Sequence, residues 1–257
     1  MTMTVLCSAT GAPGVTTTAL ALAWVWPWVR PDRRVLVVDA DAAGSGILPG
    51  YLNVGTAPGG GVLALAAERT ALTAEAVFEH SIALDPGDQR VLLTGVTDPG
   101  QARTARSVWT GLGEVAAELD SAGVDVVVDV GRLGHRYEPS ALLEHAQVVA
   151  LVLRSTLPSV AGAAGALRRL REMRGPGSST TAVLVGDSQP YTAREIVREL
   201  SVEPLHLVAT DRWAAEALSL GTPSGWRFER SPLLRSARGM VGTLTAQIDA
   251  LTPAARP

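Results

Sequence analysis

Short apolar runs alternate along the chain with segments that favour helices. Several of the runs are continuous in valine and leucine, which is typical of strands that are buried on both faces of a parallel sheet. The predicted strands are Thr4–Cys7, Arg34–Val38, Arg90–Leu93, Val124–Val128, Val148–Leu153, Ala182–Val185 and Leu205–Val208.

Helix-forming segments lie between these strands, and Thr73 is a predicted N-cap. The predicted helices are Thr17–Trp26, Gly61–Glu68, Thr73–Glu79, Gln101–Ser121, Ser140–His145, Ser159–Met173, Ala193–Leu200, Trp213–Leu220 and Leu233–Leu251. Repeated strand–helix–strand units predict an α/β fold, with a doubly wound, mainly parallel sheet flanked by helices. Because no long Pro-, Gly- and Ser-rich linker divides the chain, we expect a single domain over residues 1–257.

The composition narrows the class of protein. The chain has 257 residues, is 47% hydrophobic and carries a formal net charge of −3. This acidic balance argues against a general nucleic-acid binder, although a local basic patch would still allow one. The lone Cys7 fits a reducing cytoplasm and a buried position. With no signal peptide in view and an apolar run, Ala19 to Val29, too short to span a bilayer, we expect a cytoplasmic protein.

The segment that follows the first strand resembles a phosphate-binding loop. Its pattern is G-x-x-x-x-G-K-[ST], in which consecutive backbone N–H groups and a helix N-terminus bind phosphate. Gly11 fits the first position and Thr18 the last. The alternative is an ordinary Gly/Pro turn between a strand and a helix. The candidate nucleotide-binding residues of the loop are Gly11, Ala12, Pro13, Gly14, Val15, Thr16, Thr17 and Thr18.

The loop lacks its usual lysine. Thr16 replaces the second glycine and Thr17 replaces the lysine, and no other lysine can substitute, because all 22 basic residues of the chain are arginine. A cation at this position normally stabilises charge on the β- and γ-phosphates. Losing one such contact costs on the order of 10²–10³ in rate. Whether the chain is an enzyme is therefore open.

Two carboxylates end the second predicted strand. Asp39 and Asp41 emerge at the carboxyl end of the sheet, where ligands of open α/β sheets bind. One could hold Mg²⁺ through water while the other orients an attacking water, so both are candidate catalytic residues. The alternative is an Asp-rich turn in which Asp41 caps a short helix.

A third carboxylate, Asp129, ends the apolar strand Val124–Val128. This arrangement fits a Walker B strand, and Thr18, Asp39 and Asp129 are the candidate Mg²⁺ ligands. The alternative for Asp129 is a simple strand-end turn. Arg132 lies just beyond and could reach the phosphates in place of the lysine, or could form a surface salt bridge.

This order of motifs resembles the MinD/ParA family of P-loop ATPases. The family's loop usually reads K-G-G-V-G-K-T, and the matching stretch here, Ala12 to Thr18, has lost both lysines. The resemblance implies ATP and Mg²⁺ as cofactors, Asp41 as the water-activating residue and Asp129 as the Walker B residue. Loss of the lysine before the threonine is also common in the CpaE/TadZ branch, which positions pilus or secretion machinery.

The resemblance also implies partners and a base site. Family members form nucleotide-sandwiched dimers, so we expect a homodimer, one that responds weakly to nucleotide because the early lysine is missing. The base would be read near Val185–Ser188 and Ala209–Asp211, where Asp187 could favour guanine. The last helix has only Arg235 and Arg238 on its polar face, which disfavours membrane binding. The arginines Arg168, Arg169, Arg171 and Arg174 form a basic cluster that is more typical of a solvated face than of a DNA site.

The leading prediction is a nucleotide-binding protein that positions or regulates a cellular machine (septum, chromosome, pilus or secretion system), with weak or no ATP hydrolysis. One alternative is a pseudo-ATPase scaffold that binds an unknown protein partner and no nucleotide. Another is a ParA-type DNA-partition ATPase, which the net charge and the lost lysines disfavour.

Overall fold

The computed structural model describes residues 3–175, 178–186, 189–202, 205–223 and 225–251. Eight strands in this part of the chain form one sheet. They are β1 (Met3–Ser8), β2 (Arg34–Asp39), β3 (Ile82–Ala83), β4 (Arg90–Leu93), β5 (Val124–Arg132), β6 (Val148–Leu153), β7 (Ser179–Val185) and β8 (Leu205–Val208). Their order in the sheet is β3-β4-β2-β5-β1-β6-β7-β8, and every pair is parallel except β3 with β4.

Helices cover both faces of this sheet. They are α1 (Val15–Val29), α2 (Gly61–Glu68), α3 (Ala74–Glu79), α4 (Arg106–Glu114), α5 (Ala116–Ser121), α6 (Ser140–His145), α7 (Leu157–Met173), α8 (Ala193–Leu200), α9 (Arg212–Ser219), α10 (Gly225–Glu229) and α11 (Pro232–Leu251). The predicted doubly wound α/β fold is thus confirmed.

Side-chain alternation along each strand divides the core into two layers. Val5 and Cys7 of β1 point into a cluster covered by α4, α6, α7 and α8, whereas Leu6 points into a second cluster covered by α1, α9 and α11. Successive residues of a strand face opposite sides of the sheet, so a strand buried on both faces is apolar at most of its positions. Cys7 is fully buried, as its position in the first strand predicted, and burial raises the pKa of its thiol.

The predicted helix Gln101–Ser121 is wrong. The structure has a single 3₁₀ turn, Pro99–Gln101, followed by two separate helices, α4 and α5. Asp98 caps the 3₁₀ turn by accepting a hydrogen bond from the backbone N–H of Gly100, and Val115 leaves helical geometry between α4 and α5. The apolar periodicity of the segment continued through both interruptions, so the pattern alone did not reveal them.

The first helix is longer than predicted. It begins at Val15 and continues past Pro27 to Val29, where Arg30 ends it. Proline removes a backbone donor, but here it stands close to the end of the helix, where few turns remain to be disturbed. Strand β3 and helix α10 were not predicted, since two and five residues are too short to show a period.

Helix α11 packs on the sheet side that α1 covers, as predicted for its apolar face. Leu233, Leu234, Val241, Leu244 and Ile248 are buried there. None of the helices within the described ranges is long and apolar enough to cross a membrane.

The predicted basic cluster at the end of α7 is exposed at Arg168, Arg169 and Arg171, as expected for a solvated face, but not at Arg174. Arg174 is buried, and its guanidinium donates hydrogen bonds to the backbone carbonyls of Leu143, Ala146 and Ser179. Arg169 forms an ion pair with Glu138. Arg171 donates a hydrogen bond of 2.6 Å to the carbonyl of Ser201. Three of the four arginines therefore have partners within the fold, which weakens the case for a DNA-binding surface at this position.

Candidate functional site

The loop between β1 and α1 forms the centre of the candidate site. Gly14 occupies the N-cap of α1 in a left-handed conformation with φ of 109°, which glycine adopts without strain. No side chain caps the helix in this region. As in any α-helix, the backbone N–H groups of the first turn have no intrahelical partner, and they point toward the loop. Pro13 and Val15 are buried, while Gly11 and Ala12 are exposed.

Thr18, the candidate Mg²⁺ ligand of the loop, lies one turn into α1. Its side chain is buried, and its hydroxyl donates a hydrogen bond of 2.7 Å to the carbonyl of Gly14. This bond uses the hydroxyl hydrogen and leaves the oxygen lone pairs for another ligand. The structure thus places Thr18 as the motif predicts, at the start of the helix beneath the loop.

Asp39 and Asp129 lie side by side at the carboxyl ends of β2 and β5. They are register partners across the two parallel strands, and each is 1% exposed. Burial, together with the negative charge of Asp129, raises the pKa of Asp39 to about 7. Burial also raises the pKa of Asp129 to about 6. A short hydrogen bond from the hydroxyl of Ser45 holds the Asp39 carboxylate in place.

Asp41 lies beyond the end of β2 and is half-buried. Its Oδ1 accepts a hydrogen bond of 2.8 Å from the N–H of Ala43, and burial raises its pKa. Its carboxylate lies against Gly131, where an added Cβ would come within 2.1 Å of Oδ2. Gly131 has a φ of 65°, and its N–H donates 2.9 Å to Asp129 Oδ1. The glycine therefore allows the carboxylates of Asp41 and Asp129 to approach the same turn.

Thr16 stands where the phosphate-loop pattern has its second glycine. It is half-buried in the first turn of α1, and an interaction of its hydroxyl with the Asp129 carboxylate offsets part of the rise that burial causes in the pKa of Asp129. The sequence marked Thr16 only as an obstacle to close phosphate approach. The structure shows that its side chain instead connects the loop to the Walker B position.

A narrow cleft of about 140 Å³ opens beside the loop; we call it the loop cleft. Pro13, Gly14, Thr17 and Thr18 form one wall. The other side is lined by Val185, the last residue of β7, and by Ala209, Thr210 and Asp211 from the loop after β8. The cleft is smaller than a typical small-molecule pocket of about 300–1,000 Å³, so a whole nucleotide would extend beyond it over the loop. Asp187 and Ser188, part of the predicted base site, lie outside the described residues.

Two arginines also line the loop cleft, and no motif in the sequence marks either as a ligand. Arg154 directly follows β6, and Arg212 begins α9. Arg132, the predicted substitute for lysine, is exposed at the end of β5 opposite Ser8 and does not line the cleft. Strand β6 pairs with β1 on the side opposite β5. A prediction of the strand order would have been needed to find Arg154.

The carboxylates suit a hard divalent cation. Among the described residues, no group of three or more His, Cys, Asp and Glu side chains could form a complete metal cage. Magnesium does not require one, because it commonly binds through one or two carboxylates, waters and substrate phosphates. Asp39 and Asp129 are buried without an ion-pair partner in the described contacts, which is the situation that a bound cation would relieve. The residues present therefore fit Mg²⁺ held by Asp39, Asp129 and Thr18.

The chain is similar to known proteins in structure, whereas the sequence comparisons found no match. No protein-family model matches the chain, and no curated protein matches its sequence. Solved structures do match. MinD, the cell division ATPase of Pyrococcus furiosus, aligns with a TM-score of 0.71 at 17% identity, over 98% of this chain and 99% of its own. A ParA family ATPase from Chlorobium tepidum aligns with a TM-score of 0.70 at 18% identity, over 93% and 96%.

The chain has the MinD/ParA fold. The MinD of Pyrococcus horikoshii, solved in complex with Mg-ADP, aligns at 15% identity with a TM-score of 0.65, over 98% of this chain and 99% of its own. The resemblance inferred from the motif order is confirmed at the level of the fold. The roles of individual MinD/ParA-type residues, and the likeness to the CpaE/TadZ branch, stay predictions.

Proposed function

We propose that this chain is a nucleotide-binding protein of the MinD/ParA type that positions or regulates a cellular machine in the cytoplasm, with weak or no ATP hydrolysis. One observation carries the proposal: the first turn of α1, the end of β7 and the loop after β8 line the same cleft. A nucleotide could place its phosphates at the helix N-terminus and its base near Ala209 to Asp211. Structures with this fold include one in complex with Mg-ADP, which supports the proposal.

The phosphates would be bound mainly by the backbone. The free N–H groups of the first turn of α1 and the positive end of the helix dipole attract anions, whatever the side chains of the loop. Gly14 keeps the left-handed conformation that exposes these groups. The loss of both lysines therefore removes charge from the site without removing the backbone donors.

Hydrolysis is expected to be weak because the loop has no positively charged side chain. Phosphoryl transfer depends on positive charge near the β- and γ-phosphates in the transition state. Thr17 offers none, and a loss of this kind costs about 10²–10³ in rate. Asp41 is held by the N–H of Ala43 and packed against Gly131, a position from which it could orient a water molecule.

The test is a calorimetric titration of the protein with ATP, ADP and GTP, with and without Mg²⁺. We expect binding that strengthens with Mg²⁺ and weakens in Asp129→Asn, a variant that keeps the size of the side chain and removes its charge. Asp32→Asn, an exposed site with the same change in charge, is the control and should bind as the wild type does. Binding that is identical in all three proteins, or independent of Mg²⁺, would contradict the proposed cation site.

A second function has an observation of its own. The Asp129 carboxylate already interacts with the hydroxyl of Thr16 and accepts a hydrogen bond from the N–H of Gly131, and these contacts need no ligand. A scaffold that no longer binds nucleotide could be stabilised by these contacts and would bind protein partners instead. Absence of binding at millimolar ATP, ADP and GTP would favour this alternative.

A homodimer is part of the proposal, in keeping with the fold. Sedimentation velocity with and without ATP tests it, and we expect little change on adding nucleotide because the early lysine position is Ala12. The DNA-partition alternative is weaker, because the chain is acidic and the α7 arginines are partly committed to the fold. Salt-dependent binding to non-specific DNA would revive it.

A further inference from the structure

The loop cleft contains positive charge that the motif does not predict. Arg154 and Arg212 both line it, and Asp211 is the acidic residue among its described lining. The Asp211 carboxylate is engaged as the N-cap of α9, where it accepts a hydrogen bond of 3.0 Å from the N–H of Ala214. The first turn of α1 adds its own partial positive charge. The lining of the cleft is thus positively charged overall and suits an anion.

The guanidinium of Arg154 is not used by the fold. The residue is exposed, and within the described part of the chain its side chain forms no hydrogen bond or ion pair. Several other arginines are engaged in ion pairs: Arg33 pairs with Asp120 and Asp125, Arg90 with Asp85, and Arg169 with Glu138. A free cation that faces a cleft can bind a ligand without first breaking an internal contact.

Strand order brings Arg154 close to the phosphate loop. Strand β6 is the immediate neighbour of β1, and Val152 is the register partner of Ser8, the last residue of β1. Arg154 lies two residues beyond Val152 along the chain, so it emerges beside the loop. Arg212 comes after β8, two strands farther along the sheet, which is about 10 Å more at the usual strand spacing. Of the two arginines, Arg154 is therefore the better placed for the phosphates.

We propose that Arg154 supplies the cleft with the cation that the loop lacks at Thr17, and that it binds the phosphate groups of the nucleotide. Thr17 and Arg154 line the same cleft, so a charge on either could serve the same anion. A guanidinium can bind two phosphate oxygens at once and remains charged at any physiological pH. This inference rests on the proposed nucleotide-binding function and identifies the residue that would replace the lysine.

The test compares ATP, inorganic triphosphate and adenosine as probes in calorimetric titrations of the wild type and Arg154→Gln. We expect affinity for ATP and for triphosphate to fall about tenfold to a hundredfold, which is the usual range for loss of a charged hydrogen bond. Affinity for adenosine should not change, because adenosine has no phosphate. Arg154→Lys should bind ATP more tightly than Arg154→Gln does.

Arg168→Gln is the matched control, since Arg168 is exposed on α7 outside the loop cleft and the variant has the same change in charge. It should bind all three probes as the wild type does. If the wild type binds ATP and Arg154→Gln binds it equally well, the role of Arg154 is overturned and the proposed function stands. An equal loss for adenosine and ATP would also overturn it. If the wild type binds neither ATP nor triphosphate, both proposals fail.

Discussion

Asp39 and Asp129 face each other across two parallel strands, and neither carboxyl group is open to water. Burial raises the pKa of Asp39 to about 7 and that of Asp129 to about 6, from an ordinary value of 3.8. Between about pH 4 and pH 7 the folded protein therefore holds protons that the unfolded chain has released. Stability consequently falls as the pH rises through these values.

Asp39→Asn removes one of these titrating groups. Without Mg²⁺, we expect the free energy of unfolding of the wild type to fall by on the order of 2 kcal/mol more than that of the variant between pH 5 and pH 8. Urea denaturation at the two pH values measures the difference. Asp32→Asn, an exposed aspartate, should follow the wild type. Parallel curves for the wild type and Asp39→Asn would show that burial of this carboxyl has no such linkage.

Gly131→Ala tests the contact between Gly131 and Asp41. An added Cβ would come within 2.1 Å of Asp41 Oδ2, and the φ of 65° is unfavourable for alanine. Gly134→Ala is a strict control, because Gly134 also has a positive φ, of 93°, and nothing lies within 4 Å of its added Cβ. We expect Gly131→Ala to destabilise the protein by about 1–3 kcal/mol more than Gly134→Ala does.

Chemical denaturation of the two variants measures this difference. The clash also pushes the Asp41 carboxylate from its position, so any ATP hydrolysis should fall in Gly131→Ala and persist in Gly134→Ala. Equal stabilities for the two variants would mean that Asp41 moves aside without cost.

The sequence predicted the fold because the strands are continuous apolar runs. Val35–Val38 and Val148–Leu153 are apolar at every position, which predicts strands with two buried faces. Such strands require helices on both sides of the sheet. The interruption at Val115 was missed, since apolar spacing persists through it. The site followed the same rule: Asp39 and Asp129 could be placed because each ends such a run.

What the sequence could not supply was the order of the strands. Arg132 and Arg154 each follow an apolar run, and the chain gives no sign of which one faces the loop cleft. Strands β5 and β6 flank β1 on opposite sides, and of these two arginines it is Arg154 that lines the loop cleft. Likewise, the approach of Asp41 to Gly131 depends on a turn that no local pattern encodes.

Asp125 is the centre of a buried network that is distinct from the candidate site. Its carboxylate accepts hydrogen bonds from Trp26 Nε1 at 2.9 Å and from Arg33 Nε at 2.7 Å, and it is fully buried. Asp125→Ala leaves both donors without their acceptor, so we expect a loss of about 3–5 kcal/mol in the free energy of unfolding. Asp32→Ala should change stability by about 0.5 kcal/mol or less. A small effect of Asp125→Ala would mean that water replaces the carboxylate.

Thr17→Lys returns a cation to the loop. Because Thr17 lines the loop cleft, we expect this variant to bind ATP about tenfold more tightly than the wild type, while adenosine binds equally well to both. Thr17→Gln, which adds a long side chain without charge, should give no such gain. If Arg154 already binds the same phosphates, Thr17→Lys should recover in Arg154→Gln most of the affinity that the arginine provided. A gain in Thr17→Gln equal to that in Thr17→Lys would show that side-chain length, and not charge, limits binding at this loop.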